Sequence, residues 1–517
     1  MKHSKKLASL LLALVMALSL AVTAFADEPT TYSITINNST AGHTYEAYQI
    51  FTGDLATNEA GNKVLSNIVW GSGVSEAGQT ALGDAAAKTE TLKTEADAKA
   101  FAKAVAPYLT TAAGSANTVT DGKYVISGLA AGYYLVKDQD GSLTGDNDSY
   151  TEYIIQVVGN VTATPKSDVP EVQKKVKDIN DSTDTTKTDW QDSADYDIGD
   201  SIPFQLKATL ADNVSSYTTY KVVFHDTLSK GLTYNNDAKV YIDGTETNGF
   251  TVTATVNADG ITTLTVSCDD VKALGAGNSS VITVEYTAKL NENAVLGSAG
   301  NPNEVYLEYS NNPNKSENGN NETGETPKDV VIVFTYKTII NKVDSENAPL
   351  TGAAFKLEKL IKGKDGAAGT WTTVKEFTVD ETTTSFTFSG LDDGQYKLTE
   401  TKTPAGYNTI DPIYFVIEAT HDATADTPAL TVLKAYLTDE NGNKKTEVKD
   451  GETVNIDLGT VDLTAGSITT TVVNKSGSEL PSTGGIGTTI FYVLGGVLVL
   501  AAVVLLVTKK RMSGAEK

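Results

Sequence analysis

The segment Tyr336–Asp344, YKTIINKVD, shows most clearly the residue pattern from which the fold can be predicted. Side chains alternate between the two faces of a strand, so every second residue of this stretch shares one face. Those residues are Tyr336, Thr338, Ile340 and Lys342. Similar short runs, rich in Val, Ile, Thr, Tyr and Phe and separated by Asn, Asp and Gly, recur along the chain. The pattern predicts an all-β protein of sandwich domains and places one lysine on an apolar face.

Length and composition limit the classes of protein that the chain can form. Its 517 residues are enough for roughly three domains. The net charge of 41 − 65 = −24 disfavours nucleic acid and anionic lipid as partners. Cys268 is the single cysteine, so an internal disulfide is excluded, and Asp269 and Asp270 beside it make a nucleophilic thiol a poor expectation. The four histidines lack metal-binding spacing, so we expect no metal, no cofactor and no turnover enzyme.

Breaks in composition divide the chain into three tandem immunoglobulin-like β-sandwich domains. We predict domains at residues 27–165, 166–329 and 330–476, with boundaries at the TATPKSDVPEV segment and after a polar Asn/Gly tract. The first domain also contains an Ala-rich stretch with helical spacing between Glu76 and Leu109, for which Thr94 is a suitable N-cap. Its opening strand has no lysine, and we expect no internal cross-link there.

Three polar residues of the third domain occupy inward positions of apolar strands. Lys342 lies on the first strand, Glu400 is in phase with Tyr396 and Leu398, and Asn474 ends the last strand, SITTTVVN. Burial lowers the pKa of a lysine and raises that of a glutamic acid, which favours a neutral amine and a neutral acid. Such an amine can attack the asparagine amide, release ammonia and leave a neutral isopeptide bond. The pattern therefore predicts a Lys342–Asn474 cross-link assisted by Glu400.

The middle domain has a similar set. Lys174 is in phase with Val172 and Val176 and is the inward candidate, with Lys175 as the alternative if the register slips. Asp226 shares a face with apolar neighbours in YKVVFHD and is the candidate acid. Asn311, or its neighbour Asn312, ends VYLEYSNNP and is the candidate amide.

Both ends of the chain read as processing signals. Residues 1–26 form a basic and then apolar segment ending in Ala-Phe-Ala, which is typical of a secretory signal peptide. Residues 486–507 are almost uninterruptedly apolar and precede a basic tail, 508–517, which predicts a transmembrane helix and a cytoplasmic end. Just before them stands a pentapeptide of Leu480, Pro481, Ser482, Thr483 and Gly484.

This pentapeptide resembles the LPxTG sorting signal of Gram-positive surface proteins, and the apolar span and basic tail complete the resemblance. The resemblance implies that a sortase attacks the Thr483 carbonyl and transfers it to an amine. Lys166, in VTATPKSD, resembles the pilin lysine that accepts the threonine of the next subunit. The match is partial, because Thr164 stands where the family usually has Tyr and Ser167 where it usually has Asn.

The third domain resembles the collagen-adhesin B-like domains, through NKVD…LTGAAFKL, YKLTETKTPAGY and the terminal VVN. The middle domain is similar to that of sortase-assembled fimbrial shaft subunits, which implies a Lys–Asp–Asn cross-link there too. These resemblances imply a major pilus subunit, secreted and anchored to peptidoglycan, with sortase, further copies of the chain and accessory pilins as partners. The alternative is a monomeric wall-anchored adhesin that binds host matrix or glycan, and the Lys166 motif favours the pilus.

Overall fold

The computed structural model describes residues 31–57, 63–143, 147–151, 153–157, 159–165, 167–183, 189–316, 322–362, 368–445, 448–449, 452–453, 458–477 and 486–512. These residues form consecutive sheet-based units, in agreement with the all-β class predicted from the sequence. The predicted signal peptide, Lys166 and the pentapeptide at 480–484 lie outside the described residues.

The first domain combines two sheets with three short helices. Its strands are β1 Tyr32–Asn37, β2 Tyr45–Thr57, β3 Lys63–Trp70, β4 Gly114–Ala116, β5 Lys123–Leu129, β6 Tyr133–Asp138, β7 Ile154–Val157 and β8 Val161–Ala163. Its helices are α1 Glu76–Leu82, α2 Ala85–Thr91, α3 Glu95–Val105 and the 3₁₀ turn Ala106–Tyr108. One sheet has the order β5-β1-β8 and the other β3-β2-β6-β7, with β4 beside β2. The predicted helical stretch is confirmed, and Thr94 caps α3 through a capping box with Asp97.

The middle domain is a sandwich of two seven-stranded sheets. One sheet contains β9 Glu171–Lys177, β10 Trp190–Gln191, β12 Ser201–Thr209, β14 Leu232–Tyr234, β15 Lys239–Ile242, β16 Thr245–Thr247 and β19 Val281–Leu290. The other contains β11 Ser193–Asp195, β13 Val222–Leu228, β17 Thr251–Val256, β18 Thr262–Cys268, β20 Asn301–Ser310, β21 Thr323–Glu325 and β22 Asp329–Phe334. Short 3₁₀ turns lie at Val214–Ser216, Val271–Leu274 and Pro313–Lys315. The core between the sheets is a continuous apolar cluster.

The third domain packs a four-stranded sheet on a five-stranded one. The smaller sheet has the order β26 Ser385–Leu391, β23 Tyr336–Val343, β33 Ser467–Val473 and β32 Thr460–Asp462. The larger has the order β25 Thr370–Glu376, β24 Ala354–Ile361, β27 Gly394–Lys402, β28 Ile413–His421 and β29 Leu430–Thr438. A separate ribbon pairs β30 Val448–Lys449 with β31 Glu452–Thr453. β23 and β33, which are the first and last strands of this sheet in chain order, lie side by side and run parallel.

The predicted boundary at residue 330 requires correction. It falls inside β22, which pairs with β20 in the middle domain, and Val331 and Val333 belong to the middle core. The polar tract before β22 is therefore a connection within the middle domain, because the chain returns to the middle sheet before it enters β23.

The C-terminal segment forms a helix, α4 Ile486–Met512. Within the described part of the chain, no helix combines the length and the apolar character that crossing a membrane requires. The helix predicted at 486–507 is thus present, whereas its role as a membrane span is not confirmed.

Candidate functional site: two buried lysine, acid and asparagine clusters

In the third domain, the register of β23 and β33 brings Lys342 and Asn474 to one end of the smaller sheet. Lys342 pairs with Val472, and Asn474 follows two residues later on the same face. The backbone N–H of Asn474 donates to the carbonyl oxygen of Val343 at 3.0 Å. Glu400 reaches the pair from β27, in the opposite sheet. The inward phases predicted for all three residues are confirmed, since Lys342 and Asn474 are 0% exposed and Glu400 is 5% exposed.

The hydrogen bonds of this cluster join the acid to the amide. Asn474 Nδ2 donates to Glu400 Oε1 at 2.9 Å and Oε2 at 3.1 Å, and to the carbonyl of Asn408 at 3.0 Å. Lys342 Nζ donates to the carbonyl oxygens of Val472 at 3.0 Å and Val343 at 3.1 Å. Asn474 Oδ1 is buried and has no hydrogen-bond partner among the described residues.

Burial sets the protonation of the lysine. Desolvation lowers the pKa of Lys342, and the charges of Glu400 and then Asp344 only partly oppose it. The amine is therefore easier to deprotonate than an exposed lysine. A neutral amine near a carboxamide that contacts an acid is the arrangement needed for amide exchange.

In the middle domain, the two sheets each contribute two residues to a second cluster. Lys174 on β9 and Tyr286 on β19 come from one sheet, and Asp226 on β13 and Asn303 on β20 come from the other. Lys174 Nζ donates to Asp226 Oδ1 at 2.5 Å and to Tyr286 Oη at 3.2 Å. Tyr286 Oη donates to Asp226 Oδ2 at 2.5 Å and accepts from Asn303 Nδ2 at 2.8 Å. A continuous hydrogen-bond chain thus runs from the lysine to the asparagine.

Burial drives both ionisable partners toward their neutral forms. Lys174 and Asp226 are both 0% exposed. Desolvation lowers the pKa of Lys174 and raises the pKa of Asp226, and the attraction between the two opposes each shift. Asn303 Oδ1 is also buried without a hydrogen-bond partner among the described residues. The second cluster therefore holds an amine, an acid and a carboxamide in one dry site.

The geometry distinguishes between the candidate residues that the sequence offered in the middle domain. Lys174 lies in the core, whereas Lys175 is part-exposed and pairs with Asp192, so the alternative at Lys175 is wrong. Asn311 is also wrong as the amide. Val305 is the residue opposite Asp226, and six residues of strand separate it from Asn311, or roughly 20 Å. Asn311 instead meets the first domain, where its carbonyl accepts from the N–H of Tyr150, and Asn312 bonds to Glu322.

Sequence reasoning missed Asn303 and Tyr286. Asn303 lies on the same strand face as Val305 and Leu307. The sequence therefore offered an inward-facing asparagine at the start of this strand as well as at its end. Tyr286 shares a strand face with Ile282 and Val284, a pattern typical of an ordinary core residue. Nothing in its pattern signals that its hydroxyl bridges the acid and the amide.

The first domain has a buried polar group of another kind. His43 Nδ1 lies 2.8 Å from Asp138 Oδ1, and its Nε2 lies 3.3 Å from Asp148 Oδ1. Burial alone lowers the pKa of His43, but the hydrogen bond to Asp138 and the nearby charge of Asp148 outweigh it and raise the pKa to about 9. Tyr45 stacks on the imidazole ring. His43 is therefore a charged, paired group that stabilises this domain.

Comparisons with known proteins match separate parts of the chain. Residues 198–313 match the Gram-positive pilin backbone subunit 2, a Cna-B-like domain. Residues 337–430 match the SpaA prealbumin-like fold domain, and residues 472–513 match the LPXTG cell wall anchor motif.

Similar whole chains are also found. The trypsin-resistant surface T6 protein of Streptococcus pyogenes serotype M6 is 27% identical over 462 residues, covering 76% of this chain and 77% of the relative. The solved T6 backbone pilin of the same serotype gives a TM-score of 0.56 at 19% identity, covering 87% of this chain and 99% of that structure. The fold of the two proteins is therefore shared.

The matched domains and the anchor motif together define a cell-wall-anchored pilin of a Gram-positive surface. Within this class the middle domain matches the backbone-subunit model, and over most of its length the chain is similar to the T6 protein. The resemblances read from the sequence for the middle domain, the third domain and the C-terminal anchor segment are thereby confirmed, whereas that of the Lys166 motif stays a prediction. The matched pilin models describe structural proteins.

Proposed function

We propose that each subunit joins the next through an isopeptide bond between Thr483 and Lys166, and is braced by Lys342–Asn474 and Lys174–Asn303 bonds. The observation that supports the bracing is the pair of fully buried clusters, each with an amine, an acid and a carboxamide. An unreacted lysine in such a core pays a desolvation cost that a neutral amide avoids.

In the third domain the reaction is an exchange of one amide for another. The neutral Nζ of Lys342 attacks Cγ of Asn474 and forms the new C–N bond. Glu400 accepts a proton from the attacking nitrogen and donates a proton to Nδ2, which leaves as ammonia. One C–N bond forms, one breaks, and Glu400 ends in the protonation state in which it began.

The middle domain uses Asp226 for the same proton transfers. Asp226 contacts the lysine directly and reaches Asn303 through the Tyr286 hydroxyl. Tyr286 thus orients the amide and conducts the hydrogen-bond chain. Each bond forms once and consumes its own residues, so the protein is not a turnover enzyme.

Mass spectrometry tests the bracing directly. The purified chain should be lighter than its sequence by two molecules of ammonia, and its digest should contain branched peptides joining Lys342 to Asn474 and Lys174 to Asn303. Asn303→Ala should lose one of the two deficits, whereas Asn311→Ala should keep both. A chain of full theoretical mass would remove both bonds, and a branched peptide at Asn311 would restore the assignment made from sequence.

Polymerisation has a separate test on denaturing gels of wall extracts. The parent strain should give a ladder that resists SDS, and Lys166→Ala should abolish the ladder while the chain remains on the surface. Lys123→Ala, at an exposed position of β5, is the matched control and should keep the ladder. A single band from the parent strain would favour the monomeric adhesin instead.

A subunit with this role is expected to have peptidoglycan and accessory pilins as further partners. The last subunit would be transferred to a peptidoglycan amine, and accessory pilins would occupy the tip or base of the shaft. Host-surface ligands stay a prediction for the pilus as a whole, for which binding of purified shafts to host matrix is the direct measurement.

A further inference from the structure

β17, Thr251–Val256, is an edge strand of the middle sandwich. It pairs with β18 on one side and ends the sheet order β11-β22-β20-β13-β18-β17. All six of its residues are exposed, and no strand among the described residues pairs with its other side. An edge of this kind presents a row of backbone groups to which the strand of another chain can bond.

The register of β17 shows which of its backbone groups are available. At the hairpin that joins β17 to β18, the N–H of Asn257 donates to the carbonyl oxygen of Ile261 at 3.0 Å. Hydrogen-bonded pairs recur at every second residue of an antiparallel ladder, so the three threonines of β17 are the residues whose backbone bonds to β18. The N–H and carbonyl groups that point away from β18 belong to the alternate residues Val252, Ala254 and Val256.

β17 lacks the features with which other edge strands of this protein oppose pairing. In the larger sheet of the third domain, the edge strand β25 contains Lys375 and Glu376 and the edge strand β29 contains Lys434, and each has a shift of register against its neighbour. Charges and bulges of this kind keep edge strands from joining. β17 is regular, with neither charge nor proline, and the charged residues nearest to it in sequence are Glu246 and Asp259. It is therefore a neutral strip on a chain with a net charge of −24.

The sequence of β17 is the same in both directions over Val252–Val256, VTATV. Two copies that run antiparallel about a two-fold axis at Ala254 therefore place valine opposite valine and threonine opposite threonine. In this register the outward backbone groups of the two copies also meet, in three pairs of two hydrogen bonds each, or about six bonds. Val252 is 38% exposed and Val256 is 68% exposed, so the pairing would bury apolar surface as well.

We propose that β17 of one subunit pairs antiparallel with β17 of a second copy, and that this contact joins neighbouring fibres side by side. A two-fold contact of this kind uses the same patch on both partners. Charge favours β17 as the meeting point, because copies of an acidic chain repel each other where charged surfaces face. The pairing needs no sortase step, and only its consequence for fibres rests on the proposed polymerisation.

A single contact of this kind is small. Five residues a side compare with about 20–30 residues a side in a standard stable interface, so single chains would associate weakly. A shaft repeats β17 once in every subunit, and contacts along two fibres that lie side by side act together. Fibres should therefore bundle at concentrations at which single chains are largely monomeric.

Disulfide trapping on the purified chain, without sortase, tests the register. Thr253 of one copy would lie opposite Thr255 of the other in a non-hydrogen-bonded pair, whose Cα atoms are about 4.5 Å apart and within reach of a disulfide. A mixture of Thr253→Cys and Thr255→Cys chains should give at least about five times more cross-linked dimer on a non-reducing gel than either variant alone.

Two controls accompany this measurement. Thr253→Cys mixed with Ala258→Cys, in the exposed turn after β17, should give no more dimer than the single variants. The native Cys268 is buried and common to all mixtures. Equal yields from the two mixtures would overturn the proposal.

Electron microscopy of purified shafts tests the consequence for fibres. Unaltered shafts should lie together in bundles, whereas Val256→Lys should give single fibres because it places a charge within the contact. Ala254→Pro should also separate them, since proline removes an outward N–H and leaves the bonds between β17 and β18 in place. Val379→Lys adds the same charge at an exposed valine of the third domain and should keep the bundles.

The outcomes separate strand pairing from polymerisation. Unaltered shafts that never bundle would overturn the proposal, and so would bundles that persist in both Val256→Lys and Ala254→Pro. If wall extracts gave no ladder, the proposed polymerisation would fail, and the disulfide yields of the single chains would still decide whether β17 pairs with itself.

Discussion

The two lysine clusters place similar groups in different arrangements. In the third domain the acid contacts the amide, since Glu400 bonds to Asn474 while Lys342 bonds only to backbone carbonyls. In the middle domain the acid contacts the lysine, and Tyr286 separates Asp226 from Asn303. The lysine and the asparagine come from adjacent strands of one sheet in the first case and from opposite sheets in the second.

If both clusters react as proposed, the reaction requires a buried site and close groups but no particular arrangement of strands. An acid can act from the side of the amide or from the side of the amine, provided that a hydrogen-bond chain completes the path. Removal of a single group should therefore affect cross-linking and stability differently at the two sites.

The largest effect is expected from Lys174→Ala. This change removes the middle cross-link and the hydrogen bond that Lys174 Nζ donates to the fully buried Asp226. The free energy of unfolding of the middle domain should fall by more than about 5 kcal/mol, from lost cross-linking and an unpaired buried acid together. Denaturant unfolding measures the loss, and the mass deficit relative to the variant's own sequence should shrink by one ammonia. Lys175→Ala is the control and should keep the full deficit; a smaller deficit in Lys175→Ala would contradict the assignment.

Lys342→Ala should cost somewhat less, because Glu400 keeps its hydrogen bonds to Asn474 and to the N–H of Ile410. The loss is expected near about 5 kcal/mol, by analogy with a disulfide that closes a loop of roughly 100 residues. Lys337 lies on the same strand but on the other face, so Lys337→Ala should leave the free energy of unfolding nearly unchanged. A loss larger than that of Lys174→Ala would reverse the comparison.

Tyr286→Phe tests the relay that only the middle domain has. Removing the hydroxyl leaves Asn303 Nδ2 and Asp226 Oδ2 without their partner, at a cost of about 2–3 kcal/mol. Cross-linking of the middle domain should slow while that of the third domain is unchanged, which the mass deficit as a function of time after synthesis measures. Equal rates with and without the hydroxyl would mean that the relay is not needed.

The smallest expected effect is a pH dependence of the stability of the first domain, whose buried polar group is His43 rather than a lysine. Its pKa is raised from 6.5 to about 9 in the folded state. The resulting stability is fully present below pH 6.5 and is lost as the pH rises through about 9. The decrease should be on the order of 2 kcal/mol, and His43→Gln should flatten the profile. Urea unfolding of the first domain across this pH range is the measurement, and a profile unchanged by the substitution would contradict the assignment.

The sequence predicted the strand faces better than the positions along the strands. Lys342, Glu400 and Asn474 were found because each is a polar residue at an inward phase near a strand end. The same reasoning selected Asn311 rather than Asn303, because the alternation of a strand shows which face a residue occupies but not how far along the strand its partner lies. The contact between Asp195 of β11 and Asp393 in the turn between β26 and β27 could not be predicted, because the two residues belong to different domains.

The side-by-side placement of β23 and β33 has a consequence for the survival of the fibre. With Lys342 bonded to Asn474, the covalent path enters at Tyr336, crosses at Lys342 and leaves toward the wall, so residues 343–473 carry no tension. A protease that cuts a loop within this interval would leave the filament unsevered. Under the proposed cross-link, substitutions in the surface loops of this interval should leave the covalent strength of the filament unchanged.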